Sequence, residues 1–432
     1  MNRIILIGNG FDLAHGMKTS YNHFLKDYWE NTIAQLQNAV TRNITSEGIP
    51  FENEDIRVDK IYGPYGSTTK INATNYEDLL ANFKSQNIDF SFKNKFLEVL
   101  TKRQKELKWV DIEIVYYELL KKSFNDKEKG ILDYNIQHLN KDFERIKNLL
   151  EKYLLKIESE FDKSNSTNFS RTRHRIDKKI YSNFNLRDFS ESSLNQKIDL
   201  EYADFLKDAK AFKDGNIDSS ELSEKRISLI QAIGVDADRE KFKSMMISQD
   251  AHVFFDLLPN QTLFLNFNYT FTELYYDSPP RLSTWRNEKS VDFIHIHGSN
   301  RKEDRNPIIF GFGDELDEDY KIIERLNDND YLENIKSIKY LDTDNYKRLL
   351  EFVNSDNYQI FIMGHSCGTS DRTLLNTVFE SKNCASVKVF YHNKGDNKDN
   401  FSDIIKNISR NFNDKALMRD RVVNKTYCES LN

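Results

Sequence analysis

Polar and titratable side chains crowd the ends of short apolar runs in this sequence. Ile4 to Ile7 leads into Gly8, Asn9 and Gly10, and then offers Asp12 and His15. The run from Thr262 to Phe267 contains Asn266 and is followed by Asn268 and Thr270; Phe293 to Ile296 sets His295 and His297 on alternate positions before Gly298. Ile308 to Phe310 precedes the carboxylates Asp314 and Glu315, and Gln359 to Met363 precedes Gly364, Ser366 and Asp371. Each type suggests a chemistry. Glycines let a backbone approach a phosphate and a following helix start aims N–H groups at it, so Gly8, Asn9, Gly10, Asp12 and His15, with Gly364, Ser366 and Asp371, are candidates for holding a ligand. Each also has a plainer reading: Asp12 as a helix N-cap, Asn268 as a turn former, His297 as a packed strand residue. The third glycine of a dinucleotide fingerprint falls on Leu13, so that motif is incomplete.

Strands must position these groups. In an open parallel sheet ligands bind outside the carboxyl ends of the strands, so several polar exits converge on one crevice. The apolar runs named above, with Val387 to Tyr391, alternate with helical periodicity such as Thr373 to Phe379. The pattern predicts an α/β fold, a Rossmann-like, doubly wound parallel sheet built from residues 1–30 and 250–432. Residues 31–249 read as a mainly helical insertion with flexible loops; "LNKDFERIKNLLEKYLLKIESEF" carries the helical spacing, and 43–72 and 162–224 are polar enough to be loops. In "KWVDIEIVYYELL", Asp111 reads as the N-cap of a helix whose apolar face takes Trp109, Ile112, Val115 or Tyr116, and Leu119. Asp111 and Glu113 then suit the helix dipole, or meet a ribose or a basic partner residue.

Composition narrows the classes. A net charge of -6 over 432 residues and a pI near 5.9 give no general attraction to nucleic acid or anionic membrane. The local basic run "RTRHRIDKK", residues 171 to 179, reads as a solvated face. Three cysteines form no disulfide framework or Cys-x-x-Cys pair, and His23, His138, His174, His252 and His392 have no partner at ligand spacing, so no metal is expected. The first strand begins almost at residue 1 and no later run has the length of a membrane span, so a soluble, cytoplasmic protein is expected.

"GHSCG", residues 364 to 368, is a literal Gly-x-Ser-x-Gly after a strand, the form of an α/β-hydrolase nucleophile elbow around Ser366. Chain order counts against it. Between Ser366 and His392 the acidic candidates, Asp371 and Glu380, both fall on the helix just behind the serine.

"IILIGNGFDLAHGMKTSYNHFL" with "KWVDIEIVYYELL" resembles the AbiH family of bacterial abortive-infection proteins. The order of Gly-rich turn, "NFNYT", "HIHG" and "GHSCGTSD" is similar to the sirtuin-like NAD-consuming domains of phage-defence effectors, although Asn9 replaces an alanine and Thr270 an aspartate. The resemblance implies a sirtuin-type core, NAD as substrate or ligand, and Asn268 and His297 as the catalytic pair. The chemistry is compatible: an oxocarbenium-like state at the nicotinamide–ribose bond needs a group that orders water or ribose and a base near neutral pH. Asp371 or Asp314 would take a ribose hydroxyl. The resemblance also implies a phage-defence effector held silent in healthy cells, with a phage-derived trigger or partner protein; the insertion is then the place for self-association into a homo-oligomer or for trigger sensing. Two other classes stand beside this one: a nucleotide-sensing module without turnover, and a serine hydrolase using Ser366.

Overall fold

The computed structural model describes residues 1–65, 67–107, 111–124, 135–161, 167–216, 221–277, 290–301, 305–396 and 398–431. The chain forms two compact units, one from residues 1–16, 163–299 and 340–432, the other from 17–162 and 300–339. Among the described residues no helix is long and apolar enough to cross a membrane.

The first unit is built on six parallel strands: β1 (Asn2–Ile7), β2 (Gln261–Asn266), β3 (Ser290–His295), β4 (Tyr358–Met363), β5 (Cys384–Tyr391) and β6 (Glu429–Ser430). Their spatial order is β6-β5-β4-β1-β2-β3. The chain therefore lays β2 and β3 on one side of β1 and then crosses to lay β4 on the other. This is the Rossmann order, and the reversal between β1 and β4 is the place where such sheets take ligands. Strand β1 is central because both its faces are apolar: Ile4 to Ile7 are fully buried, with Ile5 in register with Phe264 of β2 and Phe361 of β4.

One charge lies in that strand. Arg3 is fully buried, donates to the carbonyls of Ile180 and Ser182 at 2.8 and 2.7 Å, and lies 4.7 and 4.3 Å from the ring centres of Phe184 and Phe361. Burial pulls its guanidinium down to about 9, against the nearby Asp188 charge.

Two segments expected as loops are ordered elements. Within 43–72, Ile49–Glu52 and Ile56–Ile61 pair antiparallel, and Phe90–Phe92 extends the sheet. Within 162–224, the helices Thr167–Ile180 and Glu191–Lys213 each pack through a narrow stripe, Phe169, Thr172, Ile176 and Ile180 in the first and Ile198, Phe205 and Ala209 in the second. Their remaining polar surface is what made them read as loops. The basic run 171 to 179 lies on the first of these helices, with Arg171, Arg173, His174 and Arg175 exposed.

The expected strand at Ile308 to Phe310 is absent, and the segment belongs to the second unit. Phe310 stacks on Phe143 at 4.8 Å and Phe312 on Tyr117 at 3.7 Å between ring centres, while Gly311 approaches the Asn334 carbonyl so closely that a Cβ would lie 2.1 Å from it. Aromatic stacking on helices buries this run instead of a ladder. The helix Ile112–Phe124 begins as expected: Asp111 Oδ1 accepts from the amides of Glu113 and Ile114, both at 3.1 Å. Ile112, Val115, Tyr116 and Leu119 are all buried, whereas Trp109 lies outside the described residues.

Candidate functional site

The exits of β1 and β4 touch. Gly10 N donates to the Gly364 carbonyl at 2.8 Å, Gly8 N to Met363 O at 3.4 Å and Phe11 N to Gly8 O at 2.8 Å. A Cβ on Gly8 would lie 2.6 Å from His365 Cα, one on Gly10 2.8 Å from Gly364 O, and one on Gly364, at φ +80, 2.0 Å from Phe11 N. The glycines thus let two turns close on each other, and the amides of Gly8, Gly10 and Phe11 are committed to protein carbonyls. The helix that follows, Asn9–Ala14, is six residues long.

Below this contact lies a layer of buried carboxylates. Asp12 accepts from Thr270 Oγ1 at 2.6 Å and from the Thr272 hydroxyl, and the nearby Asn268 has its Nδ2 buried without a hydrogen-bond partner among the described residues. Burial raises the Asp12 carboxyl to about 6, against the lowering effect of those hydroxyls. Asp12 therefore serves a network joining β1 and β2 and is not the cap of its own helix, which has no side-chain cap. Beside it, the fully buried Glu273 accepts from Asn266 Nδ2 at 2.6 Å and from His295 Nε2 at 2.8 Å.

At the exits of β3 and β4 two histidines share one carboxylate. His297 Nε2 lies 3.1 Å from Asp371 Oδ1 and 3.3 Å from the Tyr340 hydroxyl; His365 Nε2 lies 3.5 Å from Asp371 Oδ2. The ring of Phe267 sits between them, 5.1 Å from His297 and 4.2 Å from His365. All three polar groups are buried. The loop after β4 is bent for this purpose: Cys367 adopts φ +54, unusual for a residue with a side chain, and its amide donates to His365 Nδ1 at 3.0 Å.

The structure therefore brings His297 and Asp371 together, sets Asn268 against Asp12, and puts Gly8 and Gly10 against Gly364. Asn9 is half-buried at the same turn. His15 stands apart, its Nδ1 donating to Phe11 O at 2.7 Å and its Nε2 accepting from Tyr276 at 2.6 Å; burial lowers it to about 4. Ser366 is exposed, its carbonyl accepts from Asn407, and among the described residues its hydroxyl makes no hydrogen bond to a histidine. Asp314 lies in the second unit, where its Oδ1 accepts from Leu316 N. Glu113 meets a basic residue, Lys336, at 2.8 Å. Among the described residues no cluster of three or more His, Cys, Asp or Glu could hold a metal ion.

Sequence reading missed His365, Thr272, Glu273 and Tyr340. His365 was within sight, one position before Ser366, but the Gly-x-Ser-x-Gly pattern draws the eye to the serine.

A family model described as bacteriophage abortive infection AbiH matches residues 4–208 and 201–393. No curated protein and no solved structure matches the chain.

Proposed function

From the chain's membership of the bacteriophage abortive infection family AbiH, we propose that it is a phage-defence effector that binds NAD or a related nucleotide where its sheet reverses and hydrolyses the nicotinamide–ribose bond. The observation that carries this reading is the pairing of His297 with Asp371 beside the β1–β4 reversal. A carboxylate on one imidazole nitrogen orients the ring and stabilises the imidazolium that forms when the other nitrogen takes a proton. In the proposed reaction His297 takes a proton from the attacking water and Asn268 orders that water or the ribose. Because the turn amides are committed, side chains such as Asn9 and Asn268 hold the nucleotide instead.

One observation favours a sensing module without turnover: His297 is only 4% exposed and has the Tyr340 hydroxyl against it. The serine-hydrolase reading loses support, since among the described residues Ser366 has no hydrogen bond to a histidine.

The test is NAD in phage-challenged cells expressing wild-type or His297→Ala protein. The hydrolase reading expects NAD to collapse with the wild type and hold with the variant. Protection from phage with NAD unchanged would leave the sensing module instead.

A further inference from the structure

We infer that His365 is a positioning residue for His297, acting through Asp371 to fix which nitrogen of His297 carries the proton. The inference deepens the hydrolase reading and rests on it for the role of His297. The Cys367 backbone N–H can only donate, so His365 Nδ1, 3.0 Å away, must accept and carries no proton. The proton of His365 is therefore on Nε2, which faces Asp371 Oδ2 at 3.5 Å. That N–H, at the outer limit of hydrogen-bond reach, orients the Asp371 carboxylate, which accepts through both of its oxygens. Its other oxygen, 3.1 Å from His297 Nε2, calls for an N–H there as well. His297 is held as the Nε2–H tautomer, and Nδ1 bears the lone pair.

The surroundings suit this task. His365 is closely packed: its Cα and ring edge lie against Gly8, where any Cβ would collide with them, and its ring packs on Phe267 at 4.2 Å. Cys367, which donates its amide to His365 Nδ1, adopts a left-handed conformation that is strained for a residue with a side chain. Asn411 Nδ2 pins the same residue by donating to Cys367 O at 2.8 Å.

The test is long-range 1H–15N correlation on protein labelled at histidine, which reports the protonation of each ring nitrogen, together with steady-state kinetics on NAD. The wild type should show His365 and His297 both as Nε2–H. In His365→Leu the His297 signals should shift toward a tautomer mixture, and kcat should fall about 10- to 100-fold with little change in KM, the size of effect seen when the outer hydrogen-bond partner of a metal-bound histidine is lost. His365→Gln should recover most of both, since its carbonyl can accept from Cys367 and its amide can donate to Asp371. His365→Asn, whose amide is too short to reach Asp371, supplies the same tautomer readout if the leucine variant does not fold. A wild-type His297 carrying its proton on Nδ1, or an unchanged His297 tautomer in His365→Leu, overturns the inference. Failure of the wild type to turn over NAD while the tautomers behave as stated overturns the hydrolase reading alone.

Discussion

Asp12 and His15, three positions apart at one end of β1, are driven by burial in opposite directions, the carboxyl up to about 6 and the imidazole down to about 4. Both are held by hydroxyls from the segment after β2, Asp12 by Thr270 and Thr272 and His15 by Tyr276. The same short helix and the residue that ends it thus carry two groups whose proton linkages oppose each other.

The signs can be followed separately. Asp12 has a folded value above its ordinary 3.8, so its contribution to stability is full below about 3.8 and is lost as pH rises through about 6. His15 has a folded value below its ordinary 6.5, so its contribution is full above about 6.5 and is lost as pH falls through about 4. Each amounts to about 3 kcal/mol at most, at about 1.4 kcal/mol per pKa unit. Between pH 4 and 6 they nearly cancel. Urea unfolding across that range should therefore show stability climbing with pH in Asp12→Asn and falling with pH in His15→Gln, each relative to the wild type. Two variants with parallel pH profiles would refute the opposed pair.

The sheet was legible in the sequence because its strands are nearly pure apolar runs ending in glycine or polar residues, a pattern that parallel strands buried on both faces produce. The same pattern misleads at Ile308 to Phe310, since an apolar run does not say whether strands or aromatic rings will cover it. The pairing of Thr270 with Asp12 spans 258 positions and becomes visible only once β1 and β2 are known to be neighbours. His297 and Asp371 could be singled out by type and place. Their meeting could not, because it depends on the bend at Cys367 and on His365, whose place in the chain looked like the flank of a nucleophile. The helices at Thr167–Ile180 and Glu191–Lys213 were hidden for a simpler reason, a buried stripe too narrow to stand out among charges.

The contact between the two glycine turns makes a graded prediction. Gly16 and Gly364 both have positive φ, +89 and +80, but a Cβ on Gly16 meets nothing within 4 Å whereas one on Gly364 would lie 2.0 Å from Phe11 N. Gly16→Ala should cost only the backbone strain, about 1 to 2 kcal/mol. Gly364→Ala must also push apart β1 and β4 at their exits, and a loss of more than about 4 kcal/mol is expected. Equilibrium unfolding of the two variants decides it. Equal losses would mean that the turns are not packed on each other, and the crevice at the strand reversal would then need another architecture.

In the second unit, Lys336 is fully buried with its ammonium 2.8 Å from Glu113 Oε2, and Glu113 Oε1 accepts from Gly311 N at 3.3 Å. Removing one member of such a pair strands the other charge, at a cost of about 3 to 5 kcal/mol, whereas replacing both with apolar groups is often close to neutral. Lys336→Met should therefore destabilise strongly, and Lys336→Met with Glu113→Leu should recover most of the loss. The double variant also separates structure from chemistry. If Glu113 and Lys336 serve only to neutralise each other in the interior, the double variant that regains stability will also regain phage protection. Recovered stability with protection still absent would instead give Glu113 or Lys336 a direct part in the activity.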